Sequence, residues 1–326
     1  MAVHTKIGTA ELNLHLQNYS IGNLLDFSEI LQGIDNSNFI IKTTSGKYIF
    51  TIFESRINPQ ELPFFLNLKQ HLASKNIICP KPILNNFKQN ITYLNNKPTA
   101  IVSFLNGKTL NPDADGYYSN ITKNHCQQVG QTLAKMHLAT LDFTEQRKND
   151  LSPVNFANFF SKFSAKVDDS ADFIQKVLDF LQQNWQPNLP NMACHLDLFP
   201  DNVFFDEQQN LSGIIDFYFA GNDLPIYDFA IVVNAWCFDK TTFNQQKYQA
   251  LLAGYQQIKP FSQAELDFLP IAKIGASCRF YLTRLHDKIF ANQNSLVTIK
   301  DPAEYLAKLE HFWQHFWQHF WQKISK

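Results

Sequence analysis

Two short apolar runs, Val203-Phe204-Phe205 and Leu211-Ser212-Gly213-Ile214-Ile215, flank the polar stretch Asp206 to Asn210. The pattern predicts an antiparallel hairpin. What brackets it constrains the chain further. Asn202 immediately precedes the first run and Asp216 immediately follows the second. In an antiparallel pair those positions fall side by side at the open end, where one divalent ion, or two, could be held between them. Asp197, on the loop leading into the first strand, is expected to face the same space.

The full stretch reads His195-Leu196-Asp197-Leu198-Phe199-Pro200-Asp201-Asn202 and, after the hairpin, Asp216-Phe217. Phosphoryl transfer from a nucleotide needs a carboxylate to orient the accepting hydroxyl and oxygen ligands to hold Mg²⁺ on the phosphates. Three side chains here can fill those roles. Asp197 and Asn202 taken singly are ordinary turn residues; the His-x-Asp-x4-Asn spacing followed by a hairpin and a second Asp is far more specific. His195 is expected to brace the loop by hydrogen bonds, with Asp197 as the base. Asp228, in Leu224-Pro225-Ile226-Tyr227-Asp228-Phe229, either braces the loop too or simply caps its own helix.

The remaining chain has the size and pattern for two lobes. Its 326 residues suffice for two cores, and a 45% apolar content excludes disorder over most of the length. A net charge of −1 with no basic stripe argues against nucleic-acid binding. No apolar run is long enough to span a bilayer, and Met1 to Lys6 leads into an amphipathic pattern rather than a signal-peptide core, so a cytoplasmic protein without a membrane partner is expected. Cys79, Cys126, Cys194, Cys237 and Cys278 show no zinc or redox spacing and read as reduced core thiols. Cys194, although beside His195, is not read as a nucleophile.

In chain order, Thr9 is expected to cap a helix over 10–18. Strands are expected over 39–41 and 48–53, joined at Thr44-Ser45-Gly46-Lys47, and a helix over about 59–74. Cys79-Pro80-Lys81-Pro82 is extended, and 91–94 with 99–105 make another hairpin. From Gly107 the pattern becomes helical: 124–139, with His137 as a satisfied core histidine, then segments within 153–181, and 229–236, 245–255, 263–269 and 271–286. The expected class is therefore α+β, a two-lobed kinase-like fold with a small antiparallel-sheet lobe over 1–105 and a larger helical lobe over 106–326. The tail repeats His311-Phe312-Trp313-Gln314 at His315 and His319. On a helix each four-residue step drifts by about 40°, so an apolar ridge that packs, self-associates or simply frays is expected in preference to a His metal site.

The Asp197 to Asp216 pattern resembles that of the aminoglycoside phosphotransferase/choline kinase superfamily, a relative of the protein-kinase fold. The flanking stretches are most similar to those of bacterial kinase-like homoserine kinases. They are Met1-Ala2-Val3, Gly33-Ile34-Asp35-Asn36-Ser37-Asn38-Phe39, Leu62-Pro63-Phe64-Phe65-Leu66, Cys79-Pro80-Lys81-Pro82, Gly213 to Tyr218, Ala220-Gly221-Asn222-Asp223 and Thr298-Ile299-Lys300-Asp301-Pro302. The resemblance implies that Asp197 is the catalytic carboxylate, that Asn202 and Asp216 bind Mg²⁺, and that Gly33, Asn36, Ser37 and Asn38 cover the phosphates of ATP. It also implies that Ser103, Phe104 and Leu105 form the linker at adenine. Two positions depart from the superfamily pattern. The usual strand Lys or Arg, paired with a helix carboxylate such as Glu61, is replaced by Thr51, with Lys42, Lys47 or Arg56 as substitutes. Leu196 stands where a Gly is usual.

The resemblance implies a small amino-acid acceptor, whose zwitterion calls for a cation to meet its carboxylate. Arg279, on an apolar helical stretch, is the candidate, with a bracing or surface role as the alternative. Other readings are a choline, aminoglycoside or sugar kinase, or a non-catalytic nucleotide-binding protein. The oligomeric state stays open.

Overall fold

The computed structural model describes residues 5–31, 36–54, 57–167, 169–185, 188–290 and 300–324. The chain separates into two compact units, Met1–Gly107 with Ser212–Tyr218, and Lys108–Leu211 with Phe219–Lys326.

The first unit is built on a five-stranded antiparallel sheet in the order β1-β2-β3-β5-β4, with β1 Leu24–Ile30, β2 Asn36–Thr43, β3 Gly46–Phe53, β4 Thr92–Leu94 and β5 Lys97–Ser103. Side-chain alternation sends Phe39, Ile41, Phe50, Ile52 and Ile101 to one face, where they pack with Leu12, Leu16 and Tyr19 of helix α1 (Thr9–Leu16) and the turn after it. Phe53 and Ala100 point the other way, onto Leu62 and Leu66 of helix α2 (Leu62–Ser74). Both expected hairpins form. Strand β1 had no apolar alternation to announce it, because it is a largely exposed edge strand. The cap of α1 is Gly8, with Thr9 already helical and the helix ending at Leu16. The short stretch Ser212–Tyr218 belongs to this unit through the Ile214 N–H bond to the Ile78 carbonyl, 2.9 Å. Gly213 lets it approach, since a Cβ there would stand 2.7 Å from the Leu105 side chain.

The second unit is mainly helical. Strand β6 (Lys108–Thr109) pairs with β8 (Val203–Phe205), and β7 (Met192–Cys194) pairs with β10 (Gly221–Asp223). Strand β9 (Leu211–Ile214) leads the chain back to the first unit. The turn ahead of it, 206–210, closes as expected, with the Asp206 carboxylate accepting the N–H groups of Gln208 and Asn210. Among helices α3 (Lys123–Ala139), α4 (Phe156–Ser161), α5 (Ala171–Asn184), α6 (Pro225–Trp236), α7 (Gln245–Ile258), α8 (Gln263–Ile289) and α9 (Pro302–Ile324), α6 is the central one. Every residue from Pro225 to Asn234 is buried. A small hairpin, β11 (Phe238–Asp239) and β12 (Thr242–Phe243), follows α6.

One helical expectation changes. Helix α8 runs unbroken through Pro270, where the sequence predicts a division into 263–269 and 271–286. A proline inside a helix costs about 3 kcal/mol, and the buried run of Phe268, Leu269, Ala272, Ile274 and Cys278 offsets it by packing. The tail repeats continue α9 and pack: Phe312 is buried against Phe238 and Phe243, and Trp313 meets Phe173 and Phe180. The side chain of His319 lies outside the described residues. No described helix is long and apolar enough to cross a membrane.

Helices α3 and α7 meet backbone to backbone at Gly130 and Gly254. A Cβ on Gly130 would collide with the Leu251 carbonyl oxygen and stand 2.9 Å from the Tyr255 nitrogen. Alanine normally favours a helix over glycine by about 1 kcal/mol; here Gly130→Ala should instead destabilise the chain by about 1–3 kcal/mol, read as a lower urea midpoint at unchanged slope.

Candidate active site

The loop His195 to Phe199 leaves β7 and turns through a short 3₁₀ segment, Pro200–Asn202, into β8. Its shape is set from beneath by Asp228 on α6, whose side chain is fully buried. One carboxylate oxygen accepts the His195 N–H at 2.9 Å and the other the Leu196 N–H at 2.8 Å. His137 Nε2 adds a 3.1 Å bond, and His137 Nδ1 is joined to the Tyr255 hydroxyl at 2.8 Å. Asp228 therefore braces the loop. It is not a cap for α6, whose N-cap is Leu224. Burial alone would raise the Asp228 pKa, but the His137 hydrogen bond, the fields of His137 and His195 and the His195 N–H together hold it below the usual value.

Leu196 adopts φ +63°, the left-handed region that glycine enters without strain. The leucine holds it because both ends of its peptide frame are fastened. Its N–H goes to Asp228, and its carbonyl accepts Nη1 of the buried Arg279 at 2.6 Å. Trp236 Nε1 likewise holds the Leu198 carbonyl, 2.8 Å. Asp197 is half-buried at the crest of the loop. Asn202 donates its amide nitrogen to the Asp197 carbonyl at 2.8 Å, so its amide oxygen is the atom suited to a cation. His195 Nδ1 accepts the Asp197 N–H at 3.3 Å.

His137 is buried and hydrogen-bonded, as expected of a core histidine. With Cys194 and Asp228 it forms a cluster of metal-ligand type. The cluster is chemically closed: the carboxylate already accepts three N–H groups, and burial keeps the Cys194 thiol protonated, its pKa pushed well up. All five cysteines are free and buried.

The sheet unit carries Asp216, exposed and at φ +63°, a backbone region Asp tolerates better than most residues. Asn36, Ser37 and Asn38, expected in a phosphate-covering turn, lie on strand β2. Their polar side chains are absorbed there, because Ser37 bonds Glu54 at 2.7 Å, Asn36 accepts the Glu54 N–H at 3.3 Å, and Asn38 accepts the Thr51 hydroxyl at 2.8 Å. Gly33 and Arg56 lie outside the described residues. Ser103 closes β5, bonded to Lys81 on both sides of its backbone and side chain, and Phe104 and Leu105 follow it. Glu61 stands at the N-cap of α2.

Lys42 and Lys47 are exposed and face each other at the turn end of β2 and β3, away from Thr51. On the Thr51 side of the sheet lies a buried cation that sequence reasoning passed over. Lys69 of α2 is 5% exposed, with its ammonium 5.1 Å from the Tyr218 ring centroid. Burial lowers its pKa to about 8, against the raising fields of Cys79 and Asp216. The clue in the sequence was its position, three residues after Leu66 and four after Phe65, inside the apolar stripe of an amphipathic helix.

Also missed was Tyr305, the fourth residue of α9 and wholly buried. Its ring lies 6.5 Å from Phe199 of the loop and 5.2 Å from Phe280. Arg284 and Lys308 face its ring at 4.4 and 4.5 Å and share Glu304 between them. Burial keeps the phenol protonated, its pKa well above the usual value.

These features are those of a phosphotransferase of the kinase-like fold, and solved structures of that class match. An amicoumacin kinase in complex with AMP-PNP and Ca²⁺ aligns with TM-score 0.69 at 16% identity, covering 94% of this chain and 92% of that one. The choline kinase of Cryptosporidium parvum aligns with TM-score 0.63 at 14% identity, covering 97% and 98%. The chain belongs to the phosphotransferase enzyme family, whose model matches residues 26–261. Among curated relatives, a homoserine kinase of Brucella anthropi is 43% identical over 314 residues, 95% of this chain and 94% of that protein. A homoserine kinase of Rhizobium rhizogenes is 42% identical over 315 residues, 95% of each.

The brace has a pH signature. A carboxyl whose folded pKa lies below its unfolded value contributes its full stability above the unfolded pKa, and loses that share as pH falls through the folded one. Asp228→Asn should cost about 2–5 kcal/mol near neutrality. In urea titrations the gap between wild type and variant should narrow as pH is lowered through the carboxylate range.

Proposed function

We propose that this chain transfers the γ-phosphoryl group of ATP to the side-chain hydroxyl of L-homoserine, forming O-phospho-L-homoserine in the route to threonine. The observation that carries the reading is a half-buried Asp197 on a loop clamped by Asp228, Arg279 and Trp236, in a chain that aligns almost end to end with curated homoserine kinases.

Asp197 orients the homoserine hydroxyl and takes up its proton as the oxygen attacks in line. Asn202 and Asp216 offer one amide oxygen and one carboxylate, a hard donor set that fits Mg²⁺ better than a soft metal. Mg²⁺ bound there would neutralise charge on the phosphates. Gly33, Asn36, Ser37 and Asn38 are the segment assigned to the ATP phosphates, and because the side chains of Asn36, Ser37 and Asn38 are taken up by Glu54 and Thr51, any contact those three make is through backbone groups. Ser103, Phe104 and Leu105 bound the adenine, and Glu61 supports the nucleotide side. Lys69 takes the part of the missing strand lysine, within the field of Asp216 and on the helix packed on the Thr51 face of the sheet. Arg279, besides holding Leu196, directs Nε to the acceptor's carboxylate. The setting is the cytoplasm, where ATP is supplied.

Mg²⁺-dependent ADP release with homoserine, choline, an aminoglycoside and a sugar tests the acceptor directly; turnover should be confined to homoserine. Asp197→Asn should lower kcat by about 10²–10⁴-fold with the fold intact, and near-normal turnover would remove Asp197 from the mechanism. Lys69→Met should raise KM for MgATP about tenfold or more, leave KM for homoserine unchanged, and be partly rescued by Lys69→Arg.

A further inference from the structure

Among the described residues very few buried side-chain polar atoms lack a hydrogen-bond partner, and two of them, the Tyr305 hydroxyl and Arg279 Nε, belong to side chains packed on Phe280. Buried polar groups are almost always paired, and phenylalanine at 305 would keep every ring contact of the tyrosine without burying an unmatched hydroxyl. The ring itself is over-determined. Phe280 and Phe199 flank it, and the cations of Arg284 and Lys308 lie against it. None of these contacts uses the oxygen. The hydroxyl lies within the electrostatic reach of both Asp197 and Arg279, and Arg279 is fixed to the catalytic loop through the Leu196 carbonyl. Two unmatched donors thus belong to side chains that touch the loop carrying Asp197, Arg279 at the Leu196 carbonyl and Tyr305 at the Phe199 ring.

A free donor pair of this kind suits a planar anion with two oxygens. Homoserine carries one, its α-carboxylate, at the end of the molecule opposite the reacting hydroxyl. We propose that Tyr305 is a specificity-determining residue of the acceptor site, its hydroxyl donating to the α-carboxylate of the bound amino acid beside Arg279 Nε. The assignment rests on the homoserine reading above. It makes the enzyme reject hydroxylated amines that lack the carboxylate, since with them both buried donors stay unmatched.

The experiment compares wild type and Tyr305→Phe on homoserine and on 3-aminopropan-1-ol, which is homoserine without its carboxylate, with KM for MgATP and the melting temperature measured alongside. Tyr305→Phe should raise KM for homoserine about 10- to 100-fold and leave kcat/KM for 3-aminopropan-1-ol and KM for MgATP unchanged. Its melting temperature should equal or exceed that of wild type, because the variant no longer buries an unmatched hydroxyl. Calorimetric binding of homoserine to both proteins should show the same loss without turnover. An unchanged homoserine KM, or an equal loss with both acceptors, overturns the assignment while leaving the homoserine reading standing. A wild type that phosphorylates neither acceptor overturns both.

Discussion

Three N–H groups converge on the buried carboxylate of Asp228: two from the backbone of His195 and Leu196 and one from the His137 ring. A carboxylate so enclosed is stable only with its partners in place, because an unpaired charge at that depth would cost several kcal/mol. The loop is therefore not free to relax into an ordinary turn. It takes the left-handed residue Leu196 as a consequence, and the strain is held by fastening the carbonyls of Leu196 and Leu198 to Arg279 and Trp236. Helices α6 and α8 thereby grip the loop from its buried side, and Asp197 projects from a frame with little freedom left. Preorganisation of this sort supplies much of the advantage in phosphoryl transfer, where positioning and electrostatics outweigh covalent chemistry.

In the sheet unit the proposed counterpart is a charge carried on a helix in place of a strand. Thr51 occupies the strand position where a superfamily cation is usual and is spent on Asn38. Alternation along β3 turns Thr51 toward the face that α2 covers, and α2 supplies Lys69 in the middle of its apolar stripe. A buried ammonium is costly; the Tyr218 ring against it and the field of Asp216 favour its charged form.

Much of this was legible in the sequence where periodicity or spacing was strong. The hairpins of the sheet, the closed turn at 206–210 and most of the helices follow from alternation and turn chemistry. Asp228 was legible only as one of two options, since a carboxylate in the first turn of a helix looks like a cap until its partners are known. Pro270 signals a helix break locally, and only the tertiary packing of α8 overrides that signal. Asn36 to Asn38 looked like a loop because polar runs usually are; on the strand they are paired with Glu54 and Thr51, partners distant in sequence. Lys69 and Tyr305 escaped notice for the same reason. Each is unremarkable along the chain and becomes distinctive through what surrounds it, and for Tyr305 through what its hydroxyl does not touch.

The chain leaves the sheet unit at Gly107 and returns to it only for Ser212–Tyr218, seated through Ile214 on Ile78 and through Gly213 on Leu105. During synthesis the first hundred residues accordingly emerge from the ribosome as an unfinished body. Its last piece arrives only after another hundred residues have been made, and that piece carries Asp216. The sheet unit thus completes itself in the same step that installs Asp216, so a nascent chain stalled before Tyr218 lacks the last piece of that unit.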